Sequence, residues 1–185
     1  MKKVFSIALG TAAFLMATAF TMQAILNWKI DAEKAQVKFV MQAHAQEMIG
    51  SFKGVKGDVK FDSSDLANSS FNCTVDIATI NTGVEKRDGH LQGAGWFDAA
   101  THPSIVFTST KIIPADTGYL AEGTLTAKGI TKEVAIPFTF EGDKATGTFK
   151  GSFNIKRSDY GIGKTDAEVG DDITINLEVP VTSAD

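Results

Sequence analysis

From Val37 onward the chain alternates apolar and polar residues with a period of two, and this constrains its fold more than any other feature. Successive side chains of a strand point to opposite faces, so such alternation describes strands with one buried and one wet face. Eight segments carry it. The first sets Val37, Phe39 and Met41 against Lys38 and Gln42, preceded by Trp28 and Ile30. The second runs through Phe52, Val55, Val59 and Phe61. Phe52 and Val55 have opposite parity, so the register must shift between them, and Gly54 and Gly57 mark the bulge or bend that does it. The third has Phe71, Cys73, Val75 and Ile77 on one face, and the fourth has Ile105 and Phe107 followed by Ser109. The fifth alternates Tyr119, Ala121, Gly123, Leu125 and Ala127 with Glu122, Thr124 and Thr126, and the sixth carries Val134, Ile136, Phe138 and Phe140. The seventh reads Ala145, Gly147, Phe149, Gly151, Phe153 and Ile155, and the eighth Ile173, Ile175, Leu177, Val179 and Val181.

Short turn-like links such as Asp116-Thr117-Gly118 and Glu141-Gly142-Asp143 make successive strands antiparallel neighbours in a meander. Eight such strands can stack as a sandwich or close on themselves; closure removes both exposed edges and suits an up-and-down order, so an all-β, eight-stranded antiparallel barrel is expected. The long connection from Asn81 to Pro103 opens with Thr82-Gly83-Val84-Glu85, a capping-box pattern that predicts a short helix through Leu91. Gly93 or Gly95 should end that helix in a left-handed conformation. A connection of this length in a compact domain usually packs down, and here it is expected to cover a barrel mouth. Tyr160-Gly161-Ile162-Gly163 suggests a second rim segment.

Lys2 and Lys3 precede an apolar run that reaches Met16, the layout of a signal peptide with cleavage expected after Ala19 or Ala24. The run is shorter than the roughly 20 residues a spanning helix needs, so no stable membrane insertion is expected after cleavage. Residues 1–24 are thus assigned to export, giving a periplasmic product, and residues 25–185 to one domain. Cys73 is the single cysteine, so no intramolecular disulfide can form and the core must supply the stability. Removing Lys2 and Lys3 from the 18 basic residues leaves 16 against 22 acidic ones, a net charge of −6 with no basic cluster. That argues against nucleic-acid binding, which needs concentrated positive charge.

An eight-stranded barrel is either just filled by its side chains or wide enough for one small ligand, and the inward residues decide which. Ala121, Gly123, Ala127, Ala145, Gly147 and Gly151 alternate with Leu125, Phe149 and Phe153, which leaves room for a narrow apolar space. The alternative is that these glycines only let the strands bend within a solid core. The inward set expected to line the space is Phe39, Met41, Phe52, Val75, Ile77, Phe107, Leu125, Phe138, Phe149, Phe153, Ile155, Ile175 and Leu177. With almost no charge among them, polar metabolites are excluded and a hydrocarbon chain is favoured.

Several short motifs then fall in one order: Trp28-Lys29-Ile30-Asp31, Gly50-Ser51-Phe52, Arg87-Asp88-Gly89-His90-Leu91, Trp96-Phe97-Asp98, Pro103-Ser104-Ile105-Val106-Phe107, Gly129-Ile130-Thr131-Lys132 and Arg157-Ser158-Asp159-Tyr160-Gly161. In these the chain resembles the YceI-like polyisoprenoid-binding proteins over essentially its whole mature length. The resemblance implies a lipocalin-like barrel in the periplasm that binds a polyprenyl chain or a similar amphiphile, with no catalytic set and no cofactor. It also implies homodimers, for which no outward apolar patch argues independently. The glycine-rich Leu91-Gln92-Gly93-Ala94-Gly95 departs from the family pattern and leaves the rim shape open.

Arg87, Asp88 and His90 form the strongest polar cluster. No nucleophile motif accompanies them, so they are assigned to pinning the helix against the barrel and, with Trp96 and Tyr160, to the rim or a ligand head group. His44, His90 and His102 lack metal-ligand spacing. Trp28 and Trp96 read as large core or rim residues, with Trp96-Phe97 the better lid. The leading expectation is a carrier or store for an isoprenoid quinone, polyprenol or similar lipid; the alternatives are an exported hydrolase or isomerase acting on one, or a packed barrel serving only as an interaction module.

Overall fold

The alternating runs form one continuous antiparallel sheet whose first strands return to pair with the last. The computed structural model describes residues 25–164 and 168–184, so the expected export segment lies outside the described residues. In chain order the elements are β1 (Asn27–Ile30), β2 (Gln36–Ala43), β3 (Gln46–Phe52), β4 (Lys56–Lys60), β5 (Ser70–Asp76), α1 (Glu85–Gln92), β6 (Ser104–Pro114), β7 (Tyr119–Ala127), β8 (Ile130–Gly142), β9 (Thr146–Lys156) and β10 (Val169–Ser183). These ten segments make eight barrel strands. β1 and β2 are halves of the first, separated by a turn in which the Ala35 N–H donates to the Asp31 carbonyl at 2.8 Å. β3 and β4 are halves of the second, separated at Gly54, whose φ of 68° supplies the expected break and lets both Phe52 and Val55 face inward.

Closure is read directly from the pairings. β10 lies against β9 along one side; on the other it pairs first with β2, Ile175 opposite Phe39, and then with β1, Val181 opposite Ile30. β1 pairs with β4, and β4 with β5, which completes a ring and rules out the sandwich. Before the break, no strand among the described residues lies on the far side of β3. The wall there is sewn by reciprocal Ser51–Asn81 backbone bonds of 2.9 Å and by the Thr79 hydroxyl, which donates to the Lys53 carbonyl and accepts from its N–H.

Local chemistry corrects the sequence expectations in several places. Ile77 lies in a 3-10 turn (Ile77–Thr79) beyond the third strand, because the Asp76 carboxylate accepts from the Ala78 N–H and ends the ladder. A bulge at Ser109–Lys111 switches the parity of β6 and brings Ile112 inside. Gly123 sits opposite that bulge, where a Cβ would come within 2.3 Å of the Thr108 carbonyl oxygen; its smallness serves backbone approach, not interior room. Ala145 is exposed in the β8–β9 turn, held by the Asp143 carboxylate. The capping box does not form. Val84 precedes α1 without a side-chain cap, and the Thr82 hydroxyl and N–H donate instead to the Asp88 carboxylate. Gly93 caps the helix in an extended conformation, with φ −69°.

Candidate binding cavity

The register stacks the inward side chains in layers down the barrel. Near the α1 end, Ile173 lies opposite Ile155 and Met41; at mid-height Ile175 lies opposite Phe153 and Phe39; further down Val179 lies opposite Phe149. Between these layers is a cavity of about 200 Å³ whose wall presents almost no polar atom. An engineered apolar cavity of about 150 Å³ stays dry and admits benzene, so a hollow of this size and character suits hydrocarbon over water.

The two ends of the cavity are built differently. At the bottom Phe71 on β5, Phe138 on β8 and Phe149 on β9 form a triangle of rings, with centroids 5.2, 5.4 and 6.0 Å apart. Phe61 lies beneath all three and also meets Tyr119 and Phe140, while the Trp28 indole N–H donates to the Phe61 carbonyl. Tilted and edge-to-face rings of this kind pack densely, and the barrel is sealed here.

At the other end the cover comes from Leu91 of α1, Trp96, Phe97 and Ile162, all of which line the cavity. Trp96 is the hub. Its indole N–H donates to His90 Nε2 at 2.9 Å. Its ring lies 5.8 Å from the Arg157 guanidinium carbon and rests on Gly163, where a Cβ would come within 2.8 Å of it. The Gly163 N–H donates to the Gly95 carbonyl, tying the two cover segments together. Because an indole only donates, the His90 bond requires a neutral imidazole with Nε2 unprotonated.

Of the residues expected to line the interior, all but Ile77 do so; Ile77 is buried at 1% exposure in the packing beside the cavity. The expected rim set fares differently. Trp96 lines the cavity, but Arg87, Asp88, His90 and Tyr160 do not. Arg87 donates from Nε to the Thr82 hydroxyl and from Nη2 to the Thr82 carbonyl, so both Arg87 and Asp88 are engaged with Thr82. Tyr160 is sunk in a cluster with Leu125, Ala127 and Ile162. The glycines divide as well: Gly147 is covered by the Phe140 ring, whereas Gly151 is on the cavity wall.

Arg157 was not foreseen as part of this site. It is 1% exposed and belongs to the cavity lining, yet its guanidinium donates to the carbonyls of Gly170, Ile162, Lys164 and Val169. Its nitrogens serve the backbone, which is how a charge can be buried beside an apolar space. Its neighbour Asp171 accepts from the Ser158 hydroxyl and N–H, and these bonds hold its carboxyl below the usual carboxylate range. Lys150, also at the wall, sends its amine outward to Glu141 at 2.7 Å. Burial pushes the Cys73 thiol up to about 11, so this cavity-lining group stays a neutral thiol.

Comparison with known proteins agrees with this architecture. The crystal structure of Burkholderia cenocepacia BcnA is similar with a TM-score of 0.79 and 33% identity, covering 83% of this chain and all of that one. The YceI protein of Campylobacter jejuni gives a TM-score of 0.66 and 29% identity over 74% of this chain and 84% of its own. A polyisoprenoid binding domain from Saccharophagus degradans, 14% identical, shares the fold with a TM-score of 0.62 over 85% of this chain and 99% of its own. A UPF0312 protein of Photorhabdus laumondii is 31% identical over 159 residues, covering 81% of this chain and 82% of the relative. Residues 28–181 match the model of the YceI-like domain, and with the barrel, its cover and these relatives in agreement, the chain belongs to the YceI-like family.

Proposed function

We propose that this protein holds the apolar chain of an isoprenoid-like lipid inside the barrel, as an exported periplasmic carrier or store, and performs no chemistry on it. The observation that carries this is the cavity: about 200 Å³, sealed at one end, covered at the other, and lined almost wholly by carbon. Burying a five-carbon isoprene unit gains on the order of 3–4 kcal/mol before ordering costs, so one or two units give useful affinity. The polyisoprenoid binding described for the Saccharophagus degradans domain, which has the same fold, supports this choice of ligand class. Export is supported by Lys2, Lys3 and the apolar run behind them.

A hydrolase or isomerase would need a reactive group facing the chain. At the wall Arg157 is engaged with four carbonyls and Lys150 with Glu141, and Cys73 is an un-ionised thiol. Organic extraction of protein purified natively from the periplasm, followed by mass spectrometry, tests the proposal. A stoichiometric long-chain isoprenoid is expected. Its absence, with the barrel folded, would leave the packed-interaction-module alternative in its place.

A further inference from the structure

The barrel floor has a feature that the holding of a chain does not by itself require. Phe138 and Phe149 come from the adjacent strands β8 and β9, whereas Phe71 comes from β5, three strands away round the wall from β8, and its ring reaches both of theirs. Each lines the cavity, whereas Phe61, which touches all three from below, does not. There are thus two aromatic layers: one that a chain end would touch, and one behind it that backs the first. Beneath them the Trp28–Phe140 contact, with centroids 5.1 Å apart, continues the packing toward the closed end.

We propose that Phe71, Phe138 and Phe149 form a length stop that sets how many isoprene units of a bound chain the barrel buries. This rests on the lipid-holding role proposed above and specifies its substrate class: affinity should count units only until the chain end reaches the three rings. Since a cavity of about 150 Å³ admits benzene, one of about 200 Å³ has room for roughly one to two five-carbon units in its present form. Units beyond that remain under or outside the cover and add little. Ala121 sits beside the stop, 1% exposed and on the cavity wall, so its size helps set the remaining depth.

Two opposite substitutions test this. Phe71→Ala removes one ring of the upper layer and leaves Phe61 as the new limit, which deepens the cavity. Ala121→Leu fills space at the same level and makes it shallower. Prenol, geraniol and farnesol, with one, two and three isoprene units, are titrated against each protein by Trp fluorescence, with thermal unfolding confirming the fold. Each unit that is buried should tighten binding by at least about tenfold. In the wild type the gain should stop at a definite length. Phe71→Ala should move that point one unit longer and Ala121→Leu one unit shorter. An identical stopping point in all three proteins, or movement in the same direction in both variants, overturns the length stop. Should Phe71→Ala fail to fold, Phe149→Leu takes its place against Ala121→Leu. If none of the alcohols binds wild-type protein, the lipid-holding role falls first and the stop falls with it, a result distinct from binding without a length shift.

Discussion

The two ends of this barrel close by different physics. The lower end is shut by apolar packing: Phe61 touches five aromatic rings and is 1% exposed. The upper end is shut by polar tethers on loops, with Trp96 held by His90, Arg157 buttressed by four carbonyls, and Gly163 bonded to Gly95. Packing of the first kind is lost only with the fold, while individual tethers can open locally at small cost. On the lipid-holding role proposed above, a chain would enter and leave past the cover, and its end would meet the floor.

The sharpest way to break this contrast is at the floor. Phe61→Ala should destabilise the protein by about 3–5 kcal/mol, as large-to-small changes in packed cores do; a loss below about 1 kcal/mol in denaturant unfolding would mean the closed end is not the keystone argued for. Arg157→Met comes next. It leaves four carbonyls without their donor and should cost roughly 2–3 kcal/mol, with faster amide exchange at Ile162 and Gly163 while the floor strands stay protected. Equal exchange at both ends would erase the distinction.

His90→Ala should change stability by less than about 1 kcal/mol, because its bond to Trp96 is exposed. It should nevertheless speed the release of bound farnesol several-fold in a stopped-flow chase. The smallest effect concerns Asp171. Its carboxyl titrates lower in the folded protein than in the unfolded chain, so its stabilising effect is present above the ordinary carboxylate range and is lost as pH falls through the folded value. Asp171→Asn should lower the neutral plateau of a stability profile slightly, flatten its acid limb and leave the stability at the lowest pH nearly unchanged.

The barrel was legible in the sequence because half-buried strands must alternate, and each inward residue read that way is governed by its own strand alone. What escaped has a longer-range cause. The β2–β3 hairpin turns on His44 and Ala45, both with positive φ, and neither residue type announces such a turn. The β6 bulge that brings Ile112 inside is set by its partner β7, where Gly123 makes room for it. The site divides in the same way. Its wall followed from alternation, but the rim did not, since Arg87, Asp88 and His90 share a helix and their partners, Thr82 and Trp96, decide where they point. Arg157 stood in the sequence only as the start of a motif and not as a site residue, because nothing local reveals that carbonyls up to 13 residues away will converge on it.

If the barrel holds a chain as proposed, its two ends assign that chain a direction, and nuclear Overhauser effects measured on the complex with farnesol read it. Contacts from the terminal methyl groups to the rings of Phe71 and Phe149, and from the hydroxyl end to the Trp96 indole, are expected. Contacts of the methyl groups with Trp96 and none with the floor rings, or with outward-facing side chains only, would contradict a chain held tail-down in the barrel.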